Sequence, residues 1–162
     1  MRNIPAILKM ENNPKIFTMN QIRPWLFIGK YRETLDSGLL KINRINAMLQ
    51  LAELVNQPEI TCLYLAVEDG IPMPHEKLKT GIEFIKTNQN DGRRVLVACG
   101  AGISRSAAFA IASLKEVENL CLLEAYKAVK QHHPETLPHP AIWQSLCMYF
   151  DENVSFTELL KQ

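Results

Sequence analysis

Two periodicities alternate along this chain. Short apolar runs bounded by turn residues predict strands, and apolar positions three and four apart predict helices. The segment IFTMNQIRPWLFIG, Ile16 to Gly29, reads as two short strands around a turn, with Pro24 favouring an edge because it cannot donate to a ladder. From about Tyr31 to Leu40 the spacing is helical, and NAMLQLAE carries a buried strand. EITCLYLAVED is a further apolar strand ending on the acidic pair Glu68 and Asp69, after which GIPMP forces a loop. His75 to Asn88 sets Leu78, Ile82 and Ile85 on one helical stripe, Asn90-Asp91-Gly92 ends it, and RRVLVAC is the next strand.

Ser106 to Val117 is almost wholly apolar or small, so that helix is expected to be buried on most sides. LCLLEAYKAVKQHH is amphipathic through Leu122, Ala125, Tyr126 and Val129, and PHPAIWQSLCMYFDENV supplies a last helix with proline near its start. Strands that alternate with helices and then give way to a run of helices predict an α/β fold. The expected form is a central, mostly parallel sheet of about five strands flanked by helices, with its site at the strands' C-terminal edge. Asn12, Asn13 and Pro14 mark residues 1–15 as an irregular lead-in, which leaves 16–162 as one domain.

Composition narrows the function. A chain of 162 residues can bury a real core without disulfides or metals. Its net charge of +1 provides no broad basic face, which argues against nucleic-acid and membrane partners, so an anionic ligand must be held by a local site. Cys62, Cys99, Cys121 and Cys147 show no CxxC spacing and no metal pattern with the histidines, so no metal or organic cofactor is expected. No run has the shape of a signal peptide or the length of a membrane span. A reducing, cytoplasmic setting with free thiols follows, and one thiol is then available as a nucleophile.

That thiol is Cys99, in the loop CGAGISR between the strand VLVAC and the helix SAAFAIASL. Gly100, Ala101 and Gly102 present almost no side chain, so backbone N–H groups from Gly100 through Ile103 and Ser104 can converge on one anion. The helix N-terminus reinforces them. Arg105 adds a planar fork of donors suited to two phosphate oxygens, and the same positive field favours a thiolate at Cys99. The Ser106 hydroxyl can donate to that thiolate, or it can cap the helix.

These residues resemble the signature of the cysteine-dependent protein phosphatases, a His-Cys pair followed by five residues and Arg-Ser or Arg-Thr. The closer resemblance is to small dual-specificity phosphatases, through the loop, SAAFAIASL, LLEAYKAVKQHHP and the upstream IRPWLFIG, and it covers about Ile16 to Phe150. It implies an aspartate general acid about thirty residues before the cysteine, and Asp69 stands thirty residues before Cys99 in YLAVED. Glu68 is the alternative, although strand alternation points it the other way. The departure is Ala98. The family has a histidine there that shapes the loop and promotes the thiolate, and alanine supplies neither effect, so turnover is expected to be lower or shifted to higher pH.

The remaining candidates have plainer readings. Cys62, Cys121 and Cys147 fall at apolar positions and read as core, with a Cys62–Cys99 disulfide as the alternative for Cys62. His132 and His133 suit a helix C-terminus, His139 reads as loop, and Trp25 and Trp143 read as packing. Three functions stay in view. The first is a protein phosphatase acting on phosphorylated protein through a phosphocysteine intermediate. The second is a phosphatase of a non-protein phosphoester such as a phosphoinositide, an RNA 5′ end or a sugar phosphate. The third is a weakly active phospho-binding module. The loop lacks the lysines and the His-Gly and Asn patterns of phosphoinositide and RNA relatives, which favours the first. No insertion offers an aromatic wall for a deep pocket, so a shallow site open to phosphotyrosine, phosphoserine and phosphothreonine is expected.

Overall fold

A computed structural model describes residues 19–162, so the lead-in read over 1–15 and the start of the first expected strand lie outside the described residues. In chain order the elements are β1 (Asn20–Arg23), β2 (Leu26–Lys30), α1 (Tyr31–Thr34), α2 (Ser37–Ile42), β3 (Ala47–Gln50), β4 (Thr61–Tyr64), α3 (His75–Asn90), β5 (Val95–Cys99), α4 (Arg105–Glu118), α5 (Leu122–His132), α6 (Pro140–Phe150) and α7 (Phe156–Leu159). The five strands form one sheet in the order β1-β2-β5-β3-β4. Among these pairings the β1–β2 hairpin alone is antiparallel, and Pro24 sits in its turn beside the edge strand.

Strand β5 lies at the centre, and every one of its residues is buried. Its side chains alternate between faces as a strand requires. Val95, Val97 and Cys99 join the large core with α3, α4, α5 and α6, whereas Leu96 and Ala98 join a smaller cluster with Phe27, Leu40, Ile45 and Met48. Helix α4 is buried continuously from Ser106 to Leu114, and Phe109 fills the space where Gly81 of α3 lacks a side chain. Each fully buried Leu, Ile or Phe of this kind contributes about 1.5–3 kcal/mol, so the strand that carries Cys99 is the best-anchored part of the sheet.

Two expectations need correction, and one element is unforeseen. The helical spacing from Tyr31 to Leu40 is broken into α1 and α2, because Asp36 caps a new helix by accepting from the Leu39 N–H at 2.9 Å. Strand β4 stops at Tyr64, short of the acidic pair Glu68 and Asp69, and is half-exposed, as an edge with β3 as its only neighbour in the sheet. Residues 65–70 therefore run as a loop, tied by Leu65 N–H to Gln50 O and Val67 N–H to Leu51 O. Helix α7 is not anticipated by the sequence pattern, since four residues are too few to show a period. No helix among the described residues is long and apolar enough to cross a membrane.

Candidate active site

The parallel strands β2, β5 and β3 deliver their C-terminal ends to one edge, and residues 99–105 leave from the central one. Cys99 ends β5 at 3% exposure, and its Sγ lies 3.2 Å from Ser106 Oγ. Ser106 is therefore not the helix cap. That position belongs to Ser104, whose side chain makes no capping bond. Among the described residues, no backbone N–H from Gly100 to Ser104 donates a hydrogen bond to another backbone group.

The loop is instead held from behind. His133 Nε2 meets Gly102 O at 2.7 Å, Leu137 N–H donates to Ile103 O at 3.1 Å, and His139 N–H donates to Ser104 Oγ at 2.9 Å. The connection between α5 and α6 thus engages the outer side of the loop and leaves its N–H groups for an anion. Gly102 has φ +72°, and a Cβ there would stand 3.0 Å from Gly29 O, so this position requires glycine for both conformation and space.

Arg105 reaches across the opening. Its Nη1 donates to Val67 O at 2.9 Å, and its Nη2 lies so close to Gly100 that a Cβ there would be 3.2 Å away. Its buried Nε has no partner among the described residues. A buried guanidinium donor without an acceptor is costly unless a ligand supplies one, and a bound oxyanion does so. Asp69 stands opposite, its Oδ1 accepting from Ser104 Oγ at 2.8 Å and from the Gly70 N–H at 3.0 Å. Asp69, Cys99 and Arg105 all line one cavity of about 330 Å3. Glu68 is exposed and lines a separate groove of about 770 Å3 that also borders Asp69 and Arg105, so the carboxylate brought to the thiol is Asp69.

Other residues singled out in the sequence take these places. Ala98 faces the smaller cluster on the other side of the sheet from Cys99. The loop is instead supported by His133, which is buried at 3% exposure and does far more than face a helix terminus. Cys62 cannot bridge to Cys99. Strand β3 separates their strands, Cys62 sits opposite Met48 and hence Leu96, and it packs on the opposite face. Burial pushes the Cys62 and Cys147 thiols above their usual range, and Cys121 is exposed rather than core. Trp143 is packing, as its sequence context predicts, with its indole donating to Val154 O. Two cavity residues escape sequence reasoning altogether, Leu137 and Phe156. No local pattern marks either one, because both arrive through tertiary packing.

This five-stranded mixed sheet flanked by helices matches the fold of solved dual-specificity phosphatases. The crystal structure of DUSP15 superposes with a TM-score of 0.75 at 26% identity, over 89% of this chain and 96% of that one. The sequence profile of the family described as "Dual specificity phosphatase, catalytic domain" matches residues 26–152. The chain belongs to the dual-specificity phosphatase family. It is 33% identical to mouse (Mus musculus) dual specificity protein phosphatase 15 over 132 residues, 79% of this chain and 56% of that protein. It is 31% identical to human (Homo sapiens) dual specificity protein phosphatase 14 over 137 residues, 80% of this chain and 67% of that protein. The chain thus spans a little over half the length of the first of these relatives and two thirds of the second.

Proposed function

We propose that this protein is a phosphatase of phosphorylated proteins that hydrolyses phosphotyrosine, and phosphoserine and phosphothreonine as well, through a phosphocysteine intermediate. The observation that carries this reading is the ring of unpaired donors around Cys99, made of the loop N–H groups and the buried, unpartnered Nε of Arg105. In the first step Cys99 Sγ bonds to phosphorus, the P–O ester bond breaks, and Asp69 gives its proton to the departing oxygen. Arg105 and the N–H groups of Gly100, Ala101, Gly102, Ile103 and Ser104 stabilise the equatorial oxygens as charge develops. In the second step the Asp69 carboxylate takes a proton from water as the water oxygen bonds to phosphorus. The S–P bond breaks, and Ser106 Oγ, already 3.2 Å from the sulfur, donates to the departing thiolate. Chemistry of this kind requires Cys99 to stay reduced, which suits a cytoplasmic setting.

The test is a panel of phosphotyrosine, phosphoserine and phosphothreonine peptides, a phosphoinositide and a generic aryl phosphate, run with wild type, Cys99→Ser and Arg105→Ala. Peptide hydrolysis that disappears with either substitution is expected. Full activity of Cys99→Ser on every substrate cleaved defeats the mechanism, and phosphopeptide binding without turnover by wild type marks a binding module instead.

A further inference from the structure

We infer that Phe156, with Leu137, forms an apolar wall that receives the ring of phosphotyrosine and tilts this site toward aryl over alkyl phosphate esters. The inference rests on the phosphatase reading above and adds the substrate class that reading leaves broad. The cavity has two unlike sides. Asp69, Cys99, Ser104, Arg105 and His139 supply its polar side chains, whereas Leu137 and Phe156, with the rings of Pro138 and Pro140, present carbon.

The carbon side is fixed in place rather than draped. Leu137 is 38% exposed, a large apolar side chain left open at the mouth, yet its N–H is tied to Ile103 O of the catalytic loop. Phe156 opens α7 and is half-buried. The chain leading to it is anchored three times. Lys115 pairs with Glu152 at 2.7 Å, Leu122 N–H donates to Glu152 Oε1 at 2.9 Å, and Trp143 donates to Val154 O at 2.8 Å. Ser155 then caps α7, and Leu159 is fully buried behind it. Phe156 itself packs against the main core while lining the same cavity as Leu137, so a planar apolar ligand meets a backbone already anchored and gains contact at little further cost.

The two ester classes meet this wall differently. In phosphotyrosine a flat aromatic ring separates phosphorus from the peptide, so with phosphorus over Cys99 the ring spans the cavity and lies along Phe156 and Leu137. In phosphoserine and phosphothreonine a single carbon separates the ester oxygen from the backbone, and the polar peptide itself is drawn to the carbon side. The sequence offers no inserted recognition loop to supply an aromatic wall. Here the aromatic arrives from the C-terminal helix, beyond the residues 26–152 matched by the family profile.

The experiment measures kcat and KM for two peptides of identical flanking sequence, one phosphotyrosyl and one phosphothreonyl, with wild type, Phe156→Ala, Phe156→Tyr and Leu137→Ala. The Phe156→Ala enzyme should lose about 10-fold in the phosphotyrosyl-to-phosphothreonyl ratio of kcat/KM, mainly through KM for the aryl peptide. Phe156→Tyr should restore the ratio, and Leu137→Ala should move it the same way by less. A ratio within one preparation does not depend on the folded fraction, so partial unfolding cannot imitate the result. If wild type cleaves both peptides and Phe156→Ala leaves the ratio unchanged, the wall is refuted while the phosphatase reading stands. If wild type cleaves neither peptide nor an aryl phosphate, the phosphatase reading fails and the wall with it.

Discussion

The Cys99 loop and the loop that carries Asp69 meet in one cavity but are built in opposite ways. The first springs from a fully buried strand, runs into a buried helix, and is held from outside through Gly102, Ile103 and Ser104. The second leaves an edge strand, and Glu68, Asp69, Gly70 and Ile71 are all exposed. Apart from the local Gly70 N–H bond, the carboxylate of Asp69 is held by one hydrogen bond, from Ser104. In the proposed mechanism the nucleophile and its phosphate nest must be preorganised, because their value lies in donors that need no rearrangement as charge develops. The proposed general acid has to reach two different oxygens in two steps, which a loop of low local stability suits.

The comparison is tested most severely at Asp69. Asp69→Asn keeps an acceptor for Ser104 but removes the proton. The kcat/KM for phosphothreonyl peptide should fall about 10²–10⁴-fold, the usual worth of a positioned acid. The kcat/KM for nitrophenyl phosphate, whose leaving group needs no proton, should fall far less. Parallel kcat/KM measurements, which stop at departure of the leaving group and exclude the shared second step, decide the matter. An equal loss on both makes Asp69 a structural tie between the loops.

The next effect is on the rigid side. His133→Ala removes the buried partner of Gly102 O, which costs about 1–3 kcal/mol when a polar group is left unsatisfied. Urea unfolding should show that loss. Inhibition by inorganic phosphate should weaken at the same time, because the loop's N–H groups are aimed through the same peptide planes. Lowered stability with unchanged phosphate inhibition would mean that the loop keeps its shape without this support.

How far the sequence can anticipate this asymmetry follows from where each constraint sits. The Cys99 loop is contiguous, and small residues followed by arginine at a strand-to-helix junction have a local meaning, so Cys99 through Ser106 stand out as candidates in the sequence alone. Asp69 is singled out only through the family resemblance, which implies an aspartate about thirty residues before the cysteine, and the strand before it reads as too long because an edge strand can be as apolar as a central one. His133, Leu137 and Phe156 cannot be reached in this way. A histidine at a helix end, an exposed leucine between turns and a phenylalanine in a four-residue helix carry no periodic signal, and their roles appear only once α5, α6 and α7 pack against the loop. Ala98, where the sequence departs from the family, carries its side chain on the other face of the sheet from Cys99.

The smallest effect concerns a support beneath the rigid side. Glu33 is 3% exposed, and its Oε2 accepts from the Lys30 N–H at 2.8 Å, where β2 ends opposite Cys99. Burial pushes its carboxyl above the usual range, outweighing the Lys30 hydrogen bond and the nearby Lys30 and Arg32 charges that pull it down. The folded state therefore keeps this proton to higher pH than the unfolded chain does. Stability contributed by Glu33 is fully present below the unfolded value of 4.5 and is lost as pH rises through the raised folded value. A neutral amide resembles the protonated acid at every pH, so Glu33→Gln should gain stability relative to wild type across that window and then level off. Urea unfolding of both proteins from about pH 4 to about pH 8 checks this. A difference running the opposite way would mean that the ionised carboxylate is the form the β2 end requires, and that the rigid loop rests on a charge rather than on a buried neutral acid.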